Sequence, residues 1–380
     1  LKKWADKYII GLTGSIGTGK SVVRRMLEHL GAYGIDADAL AHRAMAPGAP
    51  GYKPVVETFG KYILMPDAQI DREKLGRVVF HDPEALARLE EIIHPLVTQA
   101  LDILIRRASQ KVIVIEAIKL VEARINTDCD SLWVVYAPTD IQVKRLVQNR
   151  KMNKADAHQR IASQVPQEIH MSAANVVIKN ESSFDDTWKQ VTQAWARFVP
   201  AKETRFAPAS QPVKLPLGEV TVHRAGPKQV EEIVQVLNRM RKGEPQLSRN
   251  DVMAELGEKA FLLLNIEQNT MGVIGWQVEN LVARTTDIAL DSLLPPAQYL
   301  PVMIREMERA SSDLQCEASL IFVPPHLAKH DALWKSLGYE PKEPNALDVI
   351  AWQEAAEEST LPGSTLYFKQ LRQDRVLRPI

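Results

Sequence analysis

One octapeptide constrains this chain more than any other feature: Gly14-Ser15-Ile16-Gly17-Thr18-Gly19-Lys20-Ser21. An apolar, β-branched run, Tyr8 to Leu12, leads into it, and a helix-like run, Val22 to Leu30, leads out. Glycines let a backbone curl until several N–H groups converge on one anion, and the helix that follows adds the positive end of its dipole. Strand, loop and helix in this order specify the phosphate-binding loop of a nucleotide-binding α/β fold. In such a loop Lys20 reaches the β- and γ-phosphates of ATP, and the Ser21 hydroxyl ligates Mg²⁺. The expected nucleotide cradle is Gly14, Ser15, Ile16, Gly17, Thr18, Gly19, Lys20, Ser21 and Val22. The loop names the nucleotide and leaves the reaction open.

From Tyr8 to about Arg197, short β-branched runs alternate with amphipathic helices, which predicts a parallel sheet flanked by helices. Strands are expected at Tyr8–Leu12, Ala32–Ile35, Val112–Ile115, Leu132–Tyr136 and Val176–Ile178. A helical insertion, Pro54 to Arg107, has the place of a substrate-binding subdomain, and Asp82-Pro83-Glu84 opens one of its helices as an N-cap followed by proline. Pro200, Pro208, Pro212 and Pro216 then punctuate an aperiodic stretch, read as a linker over 200–218. Beyond it come a strand at Val220–His223, a helix at Pro227–Arg241 and a hairpin over Phe261–Val278 turning at Asn269 to Gly272. A helix at Tyr299–Ser311, a strand at Ala318–Val323 and a short helix ending at Leu337-Gly338-Tyr339 complete an α+β pattern. Trp276, Trp334 and Trp352 read as core anchors.

The 380 residues exceed what one core holds, so two or three domains are expected. Lys plus Arg and Asp plus Glu balance at 47 each, so no global field favours nucleic acid or an anionic membrane. The longest apolar stretches are strand-sized, and Leu1-Lys2-Lys3-Trp4 has no apolar run behind it, so neither a membrane span nor a signal peptide is expected. Two isolated cysteines, Cys129 and Cys316, read as reduced thiols of a cytoplasmic protein. The oligomeric state stays open.

A second chemical element is Ile35-Asp36-Ala37-Asp38, which ends another strand of the same sheet. Both it and the phosphate loop then emerge at the carboxyl rim, where open α/β sheets bind ligands. A carboxylate there can accept the proton of a substrate hydroxyl while the loop holds the γ-phosphoryl. The alternative is an Asp-rich turn that caps the next helix, and one of the two aspartates suits that role.

With these residues in place, the first two hundred resemble the dephospho-coenzyme A kinases. The resemblance rests on Gly11 to Ser21, Ile35-Asp36-Ala37-Asp38 with Ala41-His42, Ala46 to Gly51, Ile70-Asp71-Arg72 with Leu75, Val79-Phe80, Leu89-Glu90 leading to His94-Pro95-Leu96, and Ala174 to Asn180. It implies a domain over 1–199 made of a P-loop kinase core, a helical coenzyme A-binding part at about 47–110 and a lid at about 138–170. It also implies transfer of the ATP γ-phosphoryl to the ribose 3′-hydroxyl of dephospho-coenzyme A. By the same resemblance Asp38 is the general base, Lys20 and Ser21 serve phosphate and Mg²⁺, and Asp36 and His42 line the substrate side. His94 starts or interrupts a helix near the acceptor, or is simply satisfied by backbone before its proline.

Three departures from the family pattern stand out. Glu116-Ala117-Ile118-Lys119-Leu120-Val121-Glu122 replaces a segment that usually opens with Asp; Glu116 can still hold Mg²⁺ through water, while Lys119 either grips a phosphate or is solvated. The lid helix, Asp140 to Gln148, ends Asn149-Arg150-Lys151, so an arginine has moved by one place, about 100° around a helix. Gln164 is followed by Val165-Pro166-Gln167-Glu168, without the arginine expected there. Arg145 and Arg150 remain as lid cations for the nucleotide.

The region 219–380 resembles a GNAT acyltransferase domain more weakly, through Trp334 to Glu340. The place of that family's pyrophosphate turn, Leu293 to Tyr299, has no glycine to form an anion nest. A degenerate module without acetyl transfer is therefore expected. His326 and His330, four apart, could share one helix face.

Overall fold

The computed structural model describes residues 3–79, 81–200, 212–240, 245–267, 269–374 and 376–377. Phe80 and most of the expected linker, 201–211, lie outside the described residues.

The N-terminal half runs β1 (Tyr8–Thr13), α1 (Lys20–His29), β2 (Tyr33–Asp36), α2 (Ala37–Ala44), α3 (Tyr52–Phe59), α4 (Arg72–Val79), α5 (Pro83–Arg107) and β3 (Val112–Glu116). It continues with β4 (Ser131–Tyr136), α6 (Thr139–Arg150), α7 (Lys154–Ala162), α8 (Gln167–Ala173), β5 (Val176–Lys179) and α9 (Phe184–Phe198). The five strands are parallel in the order β2-β3-β1-β4-β5. β3 is buried throughout its length, as its unbroken Val-Ile-Val-Ile run requires between two helical layers. Because β3 lies between β1 and β2, the carboxyl ends that carry the phosphate loop, Glu116 and Asp36 stand in a row.

The expected strands are all present, extended by one residue in most cases. The helix expected at Asp140 to Gln148 is longer, Thr139–Arg150. His94 neither starts nor interrupts a helix: α5 is continuous for 25 residues through Pro95. A proline within a helix removes one N–H donor and strains the preceding turn. The long apolar stripe of Ile93, Val97, Ala100, Leu101 and Leu104, buried on one face of α5, holds it together.

The C-terminal half runs β6 (Val213–Leu215), β7 (Gly218–Ala225), α10 (Val230–Met240), α11 (Arg249–Leu256), β8 (Ala260–Ile266), β9 (Asn269–Glu279), β10 (Val282–Leu290), α12 (Pro296–Asp313) and β11 (Ala318–Val323). It ends with α13 (Pro325–Ala328), α14 (Asp331–Ser336), β12 (Glu340–Pro341), α15 (Ile350–Ser359) and β13 (Thr365–Gln370). Among the described residues its eight strands form one mixed sheet, antiparallel apart from the β10–β11 pair, as the α+β reading anticipated.

Four expectations are corrected here. The hairpin turns earlier than Asn269 to Gly272: Asn269 and Thr270 already pair with Ile266 and Asn265, and Glu267 takes the left-handed φ of 56° that the turn needs. β10 went unread because its polar Arg284-Thr285-Thr286-Asp287 breaks the apolar alternation, although Arg284 and Thr285 are buried. The end of the expected linker is β6, paired with β7. His326 lies in α13 and His330 caps α14, so they share no helix. The three tryptophans are core residues, each at most 2% exposed.

Candidate active site

The phosphate loop closes over positive φ angles at Gly14, Gly17 and Gly19 (149°, 76° and 92°), and Gly19 caps α1 in the left-handed conformation. Thr18 Oγ1 and Lys20 Nζ both donate to the Ser15 carbonyl, at 2.8 and 3.3 Å. Lys20 is buried, and desolvation lowers its pKa, against the pull of Glu116, Asp38 and Asp36, which raise it. An ammonium bonded to the backbone of a phosphate-binding loop is held where a polyphosphate would be neutralised.

Asp38 stands in the first turn of α2, half-buried, with Oδ2 accepting the N–H of Ile118 at 2.9 Å. Burial lifts its pKa above the usual carboxylate range; the Ile118 bond and Lys20 offset part of that, and Glu116 adds to it. A carboxylate raised in this way binds a proton more readily than a solvated one. Asp36 has the other role open to the pair: its Oδ1 accepts the Ala39 N–H at 2.9 Å and caps α2. It also lines a cavity of about 40 Å³ with Arg24, Glu28 and Tyr33, whose far wall includes Asn280 and Leu281 of the C-terminal half.

Desolvation, with Glu116 directly beside it on β3, raises Asp36 to about 6. A folded pKa above the unfolded one means that the charged form is disfavoured by folding, so stability falls as pH rises from about 4 to about 6. Asn caps a helix as well as Asp. Asp36→Asn should therefore stabilise the fold at pH 7.5 by on the order of 2 kcal/mol and have no effect near pH 4, as measured by denaturant unfolding at the two pH values.

Glu116 is buried and fully engaged: Oε1 accepts from Ser21 Oγ at 2.9 Å and Oε2 from Arg24 Nε at 2.7 Å, while Arg24 Nη1 reaches Glu28 at 2.6 Å. The hydroxyl and carboxylate oxygens of Ser21 and Glu116 are hard donors side by side, which suits Mg²⁺ held by few protein ligands, phosphates and water. Among the described residues no group of three or more His, Cys, Asp or Glu could hold a metal unaided.

Lys119 is exposed and paired with Glu90 Oε1 at 3.2 Å, on the same side as Asp38, whose charge it stabilises. His42 and His94 are both exposed, on α2 and α5. Arg150 is exposed at the end of α6, near enough to Lys20 to lower its pKa. Arg145 is committed to backbone: it donates to the carbonyls of Gly17 and Thr18 at 3.3 and 3.1 Å and of Asn180 at 2.9 Å, bracing the loop from behind.

Three participants escaped the sequence reading. Gln164 Oε1 accepts from both Ser15 Oγ (2.6 Å) and the Ile16 N–H (2.8 Å), seating a residue from between α7 and α8 on the phosphate loop. Asn180 Nδ2 donates to the Thr18 carbonyl at 2.8 Å, and a Cβ on Gly19 would sit 2.1 Å from that nitrogen. Arg24 neutralises Glu116; its i,i+4 pairing with Glu28 was the one visible signal.

Against known proteins, residues 8–186 match the family model of dephospho-CoA kinase. A dephospho-CoA kinase from Geobacter metallireducens is 43% identical over 190 residues, which are 49% of this chain and 94% of the relative. One from Geobacter sulfurreducens is 40% identical over 195 residues, 50% of this chain and 99% of the relative. Among solved structures, TT1252 from Thermus thermophilus covers 51% of this chain and 99% of its own, at 28% identity and a TM-score of 0.47. The PaiA N-acetyltransferase of Thermoplasma acidophilum covers 40% of this chain and 98% of its own, at 10% identity and a TM-score of 0.31. The match to relatives takes up about half of this chain and nearly all of theirs, and through that half the chain belongs to the dephospho-CoA kinase family.

Proposed function

We propose that the chain transfers the γ-phosphoryl group of ATP to the ribose 3′-hydroxyl of dephospho-coenzyme A. The observation that carries this reading is the Asp38 carboxylate, raised in pKa and in electrostatic contact with the phosphate-loop Lys20. Asp38 accepts the hydroxyl proton as the oxygen attacks; Lys20 and the loop N–H groups stabilise the charge on the transferred and leaving phosphates. Ser21 and, through water, Glu116 would hold Mg²⁺, which when bound would supply further neutralisation of the phosphates. Arg150 is the lid cation free to turn toward the nucleotide, Lys119, His42 and His94 face the acceptor, and Arg145 acts on the loop's geometry. The domain division at about residue 199, with a helical part at 47–110 and a lid at 138–170, belongs to the same reading, as does a cytoplasmic location.

Coupled ADP release with ATP, Mg²⁺ and dephospho-coenzyme A tests it: saturable turnover is expected, and none at any acceptor concentration would sink it. A second reading, a nucleotide sensor without turnover, draws on Gln164 seated on Ser15 and Ile16. Tight ATP binding without ADP release would select that one.

A further inference from the structure

Glu317 lies between α12 and β11, pinned by its own backbone: its N–H donates to the Leu281 carbonyl at 2.7 Å, and its carbonyl accepts from Leu371 at 2.9 Å. Its side chain is only 1% exposed. A buried carboxylate needs compensation on both oxygens. Oε1 accepts the Val376 N–H at 3.2 Å, and Oε2 accepts from Arg43 Nη2 at 2.6 Å, across the seam between the two halves. Arg43 Nη1 donates to the Asn280 carbonyl at 2.8 Å, so both prongs of the guanidinium are held by the C-terminal half. A planar fork gripped at two points fixes direction as well as distance.

The apolar chemistry agrees with the polar. Asn280 and Leu281, at the tip between β9 and β10, both adopt left-handed φ angles, 52° and 62°. That turn drives Leu281 into the core cluster of Tyr33, Ile35, Ala37, Leu40 and Ala44, the inner face of β2 and α2. α2 is therefore wedged by Leu281 and clasped at its last turn by Arg43, five residues and roughly 7 Å along the axis from Asp38. α2 also packs on α5 and β3, and the clasp adds a second, C-terminal hold on its rotation, which sets where the Asp38 carboxylate points.

We propose that Arg43 and Glu317 are positioning residues for the phosphoryl transfer, through which the C-terminal half holds α2 and sets the aim of Asp38. The proposal rests on the kinase reading above. It predicts that the C-terminal half contributes to turnover without touching nucleotide.

Glu317→Gln is the informative variant, since it is nearly isosteric and keeps an acceptor for Val376 while removing the carboxylate that pairs with Arg43. In the full chain, kcat for ADP release should fall about tenfold to a hundredfold, with KM for ATP within about twofold of wild type. Amide hydrogen exchange over residues 37–44 should speed up, while that of α9 does not. Adding Arg43→Gln to Glu317→Gln should lower kcat little further, because one interaction is already gone. Unchanged exchange over α2 overturns the clasp; faster exchange with wild-type kcat overturns its positioning role. If wild-type protein releases no ADP with dephospho-coenzyme A, the kinase reading fails and the exchange result alone decides whether the clasp exists.

Discussion

Asp38→Asn is expected to lower ADP release with dephospho-coenzyme A by about 10³-fold while leaving ATP affinity within about twofold. The substitution is nearly isosteric, and the asparagine oxygen can still accept the Ile118 N–H that Asp38 accepts at 2.9 Å. What disappears is the proton acceptor. The wild-type enzyme should also show an acid limb in kcat/KM: activity requires the ionised carboxylate and declines as pH falls through its pKa. Burial raises that pKa, so the limb lies above the ordinary 3.8 of an aspartate. The residual rate of the variant should lack this limb. Isothermal titration with ATP and an ADP-coupled assay across pH settle both points, and a variant with wild-type kcat would remove Asp38 from the chemistry.

Gly14→Ala should weaken ATP binding by about a hundredfold or more, some 3 kcal/mol. Gly14 has a φ of 149°, and an added Cβ would lie 2.3 Å from the Val135 carbonyl oxygen and 3.1 Å from Thr18 Oγ1. Val135 is backbone of β4, which is hydrogen-bonded to β1 beside the loop, so this carbonyl cannot retreat without parting two strands. The loop must instead distort, and the N–H groups that converge on phosphate lose their common focus. Gly48→Ala provides the control. Its φ is 78°, but nothing lies within 4 Å of its added Cβ, so the cost should be confined to about 1 to 2 kcal/mol of stability, with ATP binding intact. Calorimetric titration of both variants, with circular dichroism as a check on folding, separates clash at the loop from general strain.

The second half of the chain was less legible than the first, for reasons visible in single elements. The parallel strands β1, β3 and β4 are nearly all buried, so their apolar runs announced them within a residue of their ends. β10 carries Arg284 into a buried position beside Glu279 and Glu358, and its polar spelling concealed a strand. Pro95 within α5 gave a false boundary near His94, because a breaker's local penalty is small against the packing of a whole apolar stripe. In the site, Asp36 and Asp38 were both in view, but the division of labour depended on which one met the Ala39 N–H and which the Ile118 N–H.

The phosphate loop, the acidic pair and the individual strands of the parallel sheet could be read from spacing alone, since each depends on residues within one turn or one strand of each other. The clasp of Arg43 on Glu317, the seat of Gln164 on Ser15 and the neutralisation of Glu116 by Arg24 join residues 274, 149 and 92 positions apart. No local pattern encodes such pairs: their energy exists only once burial has removed water from both partners, and burial is a property of the folded whole.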